Sequence, residues 1–304
     1  MEKKKPKIIA VVGPTSSGKT AFGVKLAKKY QGEIVSADSR QVYIGMDIGT
    51  GKDLLEYGNI PYHLIDVISP QKEFDLNCYK KLAEKAIADI ISRGKLPIIV
   101  GGSGLYLQAL IDNYRLSSIK PDLKLRSELE DKTADQLFAI LLKTKPQFAK
   151  HLNDSERKNK RRLIRYIELA KQGIGAPKKT KETKYDVLIL GLDLPTEALW
   201  DRIQKRLWHR LQKENLVAEV ESLHQFGVSW KKLESFGLEY RHIAWYLQER
   251  IDYEQMVEKL FTAIRQFSKR QKTWFRRWEK LGKKIEWINS QKEAEQKIKL
   301  FLAK

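Results

Sequence analysis

Through the first hundred residues, short β-branched runs alternate with longer amphipathic stretches. Ile8 to Val12, Ile34 to Ser36, His63 to Ile68 and Pro97 to Val100 read as strands, and Lys19 to Tyr30 and Asn77 to Ile91 as helices. That alternation predicts a parallel α/β sheet with flanking helices. From about Leu116 to Lys184 the pattern becomes charged and helix-prone, without convincing strands, and ends in the lysine-rich stretch Lys178 to Lys184. It reads as a helical insertion with a mobile exit loop. A further strand, Val187 to Leu192, returns the chain to the sheet, and the helix after Pro195 carries Leu199, Ile203, Leu207 and Leu211 on one face. A long helix from Tyr253 to Leu281, a short strand at Ile285 to Ile288 and a last helix complete the chain, with no internal repeat. The predicted organisation is an α/β core in two parts, 1–115 and 185–304, interrupted by a helical domain, 116–184.

Composition adds a partner class to this frame. The 304 residues carry a formal net charge of +20, with 42% hydrophobic residues, enough to bury one sizeable core and basic enough to favour a polyanion. The clean apolar runs are strand-sized, so no membrane span is expected. Met1 to Lys7 is basic, but the apolar run behind it is too short for a signal segment. One cysteine, Cys78, rules out an intrachain disulfide framework, and no CxxC or HxxxH spacing offers a structural metal site. A reducing cytoplasm suits this usage, and no obligate protein partner is evident. The five histidines show no ligand spacing.

The strongest chemical signal is Gly13-Pro14-Thr15-Ser16-Ser17-Gly18-Lys19-Thr20, which satisfies GxxxxGK[ST] between a predicted strand and a predicted helix. The bare pattern arises by accident in roughly one chain in a hundred of this length, so the strand–helix context decides in its favour. Glycines let the backbone curl around an anion, consecutive amides and the helix N-terminus face the phosphates, Lys19 adds charge, and Thr20 offers a magnesium ligand. Asp38, within Ser36-Ala37-Asp38-Ser39-Arg40-Gln41, follows the second strand, whose carboxyl end converges on the same crevice. It is a candidate proton acceptor or water-mediated magnesium ligand, with helix capping as the plain alternative. Gly101-Gly102-Ser103-Gly104-Leu105-Tyr106 ends the next core strand, and the lack of a carboxylate there argues against a conventional ATPase.

Two basic regions match the charge. On the long C-terminal helix, Arg265, Lys269, Lys272 and Arg276 form a stripe beside an apolar face of Leu260, Ile264, Trp274, Phe275 and Trp278. Arg157, Lys158, Lys160, Arg161, Arg162 and Arg165 cluster in the insertion. Such stripes suit the phosphates of an RNA backbone, and solvated helix faces are the plain alternative. Arg202, Arg206 and Arg210 recur every four residues, placed either to reach back toward the phosphate loop or to stand in solvent.

Taken together, GPTSSGKT at 13 to 20, SADSRQVYIGMDIGTGK at 36 to 52, GGSGLYLQAL at 101 to 110 and FSKRQKTWFRR at 267 to 277 resemble the tRNA dimethylallyltransferases, in order over nearly the whole chain. The resemblance implies a phosphate-loop α/β fold with a helical insertion. It also implies transfer of a dimethylallyl group from dimethylallyl diphosphate to the N6 amine of adenosine 37, beside the anticodon of tRNA. By the same resemblance Asp38 is the general base, the loop and Mg2+ on Thr20 hold the diphosphate with Lys19, Ser103 stands at a position usually threonine, and Arg206 lies near the leaving group. Segments that contact tRNA in relatives align with Asp38, Ser39, Arg40 and Gln41, with Ser103 and Arg126, and with Arg161, Arg162, Leu163, Ile164 and Arg165. Tyr240, Arg241, Lys269, Arg270, Gln271, Trp274 and Arg276 complete that set. The sequence departs from the pattern at Gly51 and Asp53, where relatives usually have alanine and proline, at His151-Leu152-Asn153-Asp154, and at Phe236 to Arg241. A small-molecule kinase, a prenyltransferase acting on free adenine nucleotide and a non-catalytic RNA-binding protein are the competing readings.

Overall fold

The computed structural model describes residues 5–117, 119, 121–174, 178–179 and 183–303. In chain order the first part of the core holds β1 (Lys7–Val12), α1 (Lys19–Tyr30), β2 (Gly32–Ser36), β3 (Tyr62–His63), α2 (Leu76–Ser92), β4 (Leu96–Gly101) and α3 (Gly104–Ile111). The inserted unit holds β5 (Tyr114–Arg115), α4 (Leu123–Leu129), α5 (Ala134–Thr144), α6 (Pro146–Lys150), α7 (Asp154–Arg157), α8 (Lys160–Lys171) and β6 (Lys178–Lys179). The chain then returns through β7 (Asp186–Gly191), α9 (Thr196–Gln212), α10 (Leu216–Gln225), α11 (Trp230–Phe236), α12 (Leu238–Leu247), α13 (Tyr253–Lys280), β8 (Glu286–Trp287) and α14 (Gln291–Ala303).

Six parallel strands form the core sheet in the order β3-β2-β4-β1-β7-β8. The strands are apolar on both faces because both faces are covered. Ile8, Ala10 and Val12 pack with Tyr79 and Ile87 of α2, Leu107 of α3 and Phe275 and Trp278 of α13. Ile9 and Val11, one residue out of phase, pack with Leu26 and Ala27 of α1 and Ile298 of α14. The chain leaves β1 for β2 and returns to β4 between them, so the crevice at the carboxyl ends of β1 and β4 is a topological switch point.

Three expectations change. The run His63 to Ile68 is not a strand beyond His63, and Ile68 makes only an isolated bridge with Tyr43. Helices α10 to α12, absent from the periodicity reading, build a separate apolar cluster with Val42, Tyr43 and Met46. The insertion does contain strands: Tyr114–Arg115 pair antiparallel with Lys178–Lys179. The compact units accordingly divide at Tyr114–Lys181, with Met1–Asn113 and Glu182–Lys304 forming the other, against the expected 116–184. Of the expected exit loop, positions 180–182 lie outside the described residues, and 178–179 are strand rather than loop.

The inserted unit has its own core, in which Leu125, Leu137, Leu141, Leu163 and Ile167 are buried. Helices α4, α5, α7 and α8 start at side-chain caps, from Asp122, Thr133, Asn153 and Asn159 onto backbone amides.

Candidate active site

The phosphate loop joins β1 to α1 and lines a cleft of ≈ 290 Å³. Thr15, Ser16, Gly18, Lys19 and Thr20 form one wall. Asp38, Arg40 and Gln41 after β2, Gly101 and Gly102 after β4, Arg202, Arg206 and Arg210 of α9, and Phe267 and Gln271 of α13 complete it. The topology therefore gathers four of the groups picked out by sequence: the loop, Asp38, the glycine turn and the arginine series.

The electrostatics of the cleft are those of an anion site. Lys19 Nζ donates to Pro14 O at 2.6 Å. Burial, with Arg206 beside it, pushes the ammonium down to about 7, and Asp38 only partly offsets this. Arg206 donates to Thr15 Oγ1, and burial, then Arg210, pull it down to about 9 against the attraction of Glu239 and Asp53. The Ser16 and Ser17 hydroxyl oxygens are buried without a hydrogen-bond partner among the described residues. Crowded, desolvated cations and unpaired hydroxyls at a helix N-terminus are costly unless an anion is bound.

Asp38 enters this cleft on the connection out of β2, its Oδ1 accepting from the Arg40 amide at 2.9 Å. The two carboxyl-end turns are tied together, since the Ser39 amide donates to Ser103 Oγ at 3.1 Å and the Ser103 amide donates to Ala37 O at 3.2 Å. Arg40 turns away from solvent and pairs with Glu239 of α12 at 2.7 Å. Burial works against the Glu239 carboxylate, but Arg40 wins and holds it below its ordinary range.

Gln271, expected at tRNA, acts as a strut at the edge of the cleft. Its Oε1 accepts from the Thr15 amide at 2.8 Å and its Nε2 donates to Gly102 O at 3.0 Å, so α13 clamps the phosphate loop to the glycine turn. A Cβ at Gly102 would lie 2.2 Å from that Nε2, so only glycine admits the clamp. Gln41 is likewise internal, accepting from Ser36 Oγ at 2.8 Å and donating to Gly51 O at 2.9 Å. Tyr240, expected at tRNA, is buried and donates to Glu219 Oε1 at 2.9 Å. Glu219 also accepts from the amides of Asp47, Ile48 and Gly49, at 2.6 to 3.0 Å, and so fixes the turn of the MDIGT segment. Neither Glu219 nor Glu239 was singled out in the sequence, because their partners lie about two hundred residues away in the chain.

The departures at 51 and 53 have a structural reason. Gly51 has φ +63°, and a Cβ there would lie 2.3 Å from Arg210 Nη2. Asp53 has φ +46°, which proline cannot adopt, and its Oδ1 faces Arg210 Nη2 at 3.6 Å.

On α13, Lys269, Arg270 and Arg276 are exposed and Trp274 is half-buried against Gly104. Lys272 is drawn off the stripe by Asp193 at 2.6 Å, and Arg265 lies over Trp200. Arg241 donates to Glu234 O. In the inserted unit Arg161 is exposed, but Leu163, expected at tRNA, is a core residue and Ile164 packs partly against that core. Arg126 and Arg165 both pair with Glu168, at 2.6 and 2.7 Å, and hold that buried carboxylate below its ordinary range despite desolvation. Arg162 pairs with Glu156 at 3.2 Å.

The family described as IPP transferase matches residues 41–278, and the description Isopentenyl transferase matches residues 6–57. The chain belongs to the IPP transferase family. A family relative named tRNA dimethylallyltransferase 1, from Syntrophus aciditrophicus (strain SB), is 44% identical over 287 residues, covering 92% of this chain and 93% of that protein. One named tRNA dimethylallyltransferase 2, from Treponema denticola, is 45% identical over 286 residues, covering 92% and 95%. Among solved structures of the family, the full-length tRNA isopentenylpyrophosphate transferase from Bacillus halodurans superposes with a TM-score of 0.71 at 33% identity, covering 98% of this chain and 96% of that one. A eukaryotic dimethylallyltransferase acting on tRNA gives a TM-score of 0.74 at 28% identity, covering 88% and 69%. Among the described residues, no helix is long and apolar enough to cross a membrane.

Proposed function

We propose that the protein transfers the dimethylallyl group of dimethylallyl diphosphate to the N6 amine of adenosine 37 in tRNA, releasing diphosphate. The observation that carries this reading is the cleft in which desolvated Lys19 and Arg206 and the unpaired Ser16 hydroxyl share one cavity with the Asp38 carboxylate at the end of β2. An adenine amine is a poor nucleophile because its lone pair is delocalised into the ring, so alignment, proton removal and leaving-group stabilisation must supply the rate. In the reaction the N6 lone pair forms a bond to the allylic carbon as the carbon–oxygen bond to diphosphate breaks. The electron pair leaves on the diphosphate oxygen, and the N6 proton passes to the Asp38 carboxylate. Loop amides, Lys19 and Arg206 hold the departing charge. The adenine must leave its stack to reach Asp38, and exposed Lys269, Arg270 and Arg276 suit the RNA phosphates around it.

The donor set fits a magnesium ion carried on the diphosphate. Thr20 brings a hydroxyl and Asp38 a carboxylate to the cleft, and no cluster of three His, Cys, Asp or Glu side chains exists among the described residues. Such a sparse set suits a cation that keeps most of its water and binds through phosphate oxygens. Held at Thr20, magnesium would neutralise charge on the departing diphosphate.

The test incubates the protein with magnesium, labelled dimethylallyl diphosphate and unmodified tRNA, free AMP or no acceptor, followed by digestion of the RNA to nucleosides. Label on the adenosine beside the anticodon, dependent on tRNA, is the expected result. Label on AMP alone makes the protein a nucleotide prenyltransferase, and no transfer to either removes prenyl chemistry.

A further inference from the structure

Arg210 has no part in the reaction as written, yet it is the most deeply placed of the three arginines that α9 turns toward the cleft. Its side chain is 5% exposed. The carboxylates near it are distant: Asp53 Oδ1 at 3.6 Å from Nη2, itself 41% exposed, and Glu214 at 4.0 Å from Nε. Nη2 is sealed from solvent and makes no hydrogen bond among the described residues. The guanidinium lines the same cleft as the phosphate loop, and it reaches that place only because residue 51 has no Cβ, which would lie 2.3 Å from Nη2.

A guanidinium carries five donors, and burying it with a donor unpaired is unfavourable, so an apolar side chain of that length would serve packing better. Two features of the chain hold the group there regardless: a glycine that makes room for it and an aspartate turned toward it from a left-handed backbone. Arg206, one turn earlier on α9, already touches the phosphate loop, and residues four apart on a helix stand about 6 Å from one another. A phosphate beyond the one on the loop lies within reach of a guanidinium so placed.

From this geometry we infer that Arg210 is a further phosphate-binding residue of the cleft, with Asp53 as its loose partner and Gly51 as the opening that admits it. The inference rests on the cleft being the diphosphate site. Two sources present the same chemistry: the second phosphate of the donor's diphosphate, and the backbone phosphate of the acceptor nucleotide.

Full-length wild type, Arg210→Met and Arg210→Lys are titrated by calorimetry with inorganic pyrophosphate and, separately, with an unmodified anticodon stem-loop RNA, in magnesium buffer. The melting temperature of each is recorded without ligand. Arg210→Met is expected to bind pyrophosphate about tenfold more weakly, the worth of one charge-assisted hydrogen bond. It should also bind RNA like wild type and melt no lower than wild type, because an unpaired buried charge has gone. Weakened RNA binding with unchanged pyrophosphate binding assigns Arg210 to the acceptor's phosphate instead. Unchanged affinity for both ligands overturns the inference. Should Arg210→Met lose both ligands and melt low, Arg210→Lys decides: recovered affinity upholds a phosphate contact, and persistent loss assigns Arg210 to the fold alone. Failure of the wild type itself to bind pyrophosphate would sink the diphosphate reading, whatever the variants do.

Discussion

Lys19 offers a quantitative test of the anion site. Burial and Arg206 bring its pKa from an ordinary 10.5 to about 7. At pH 7.5 about three quarters of these lysines are then neutral, by the titration relation. A bound diphosphate supplies the missing counter-charge and restores the ammonium, so binding takes up about 0.75 proton at Lys19 at that pH. Calorimetric titration with pyrophosphate in two buffers of different ionisation enthalpy reads this uptake directly. Lys19→Arg, charged at every working pH, supplies the baseline due to pyrophosphate itself. Through Lys19, affinity falls as pH rises from about 7 toward 10.5. Folding stability behaves oppositely. The depressed lysine opposes folding in full below about pH 7, and the penalty relaxes as pH rises toward 10.5, so stability increases across that window. Equal proton uptake by wild type and Lys19→Arg would refute the desolvated lysine.

Asp38→Ala should lower turnover at least about a hundredfold, the usual size of a general-base effect, with tRNA affinity retained in a filter-binding assay; unchanged turnover removes Asp38 from the mechanism. Gln271→Leu leaves the Thr15 amide and the Gly102 carbonyl unpaired at the clamp, about 2–6 kcal/mol in denaturant unfolding at ~1–3 kcal/mol for each orphaned group, and an unaltered midpoint would show the clamp to be dispensable. Lys269→Ala and Arg276→Ala should each flatten the salt dependence of tRNA binding, by about 0.7–0.9 in the logarithmic slope if each meets one phosphate; an unaltered slope returns the stripe to solvent. Leu163→Ala should cost about 2–5 kcal/mol of stability as a core truncation while leaving the tRNA affinity of folded protein intact, and the reverse pattern would place Leu163 at the RNA.

Local pattern carried far in this chain. A phosphate loop is contiguous, its strand and helix are short-range structures, and period-2 and period-3.6 apolar spacing is written into neighbouring residues, so β1, α1, β4, β7 and α13 follow from the sequence nearly to the residue. The direction of parallel strands likewise brings Asp38 and the Gly101–Gly104 turn to the loop without any knowledge of side-chain positions. The resemblance to the family rested on the same contiguous blocks.

What tertiary structure alone decided is which polar residues are spent on the fold. Gln271, Gln41 and Tyr240 have polar side chains within segments that resemble RNA-contacting ones, yet each satisfies a partner inside the core unit. Arg126 and Arg165 look like phosphate contacts until Glu168 is seen between them. Glu219 and Glu239 gave no local signal, since a carboxylate's role depends on amides and guanidinium groups contributed from distant parts of the chain. A spacing of four residues could place Arg202, Arg206 and Arg210 on one helix edge, but not say that Arg206 would be desolvated beside Lys19 and Arg210 buried in the same cleft. Sequence periodicity encodes which side of an element faces inward. Whether a charge there meets an opposite charge, a clash or an empty pocket is settled only when the other elements pack against it.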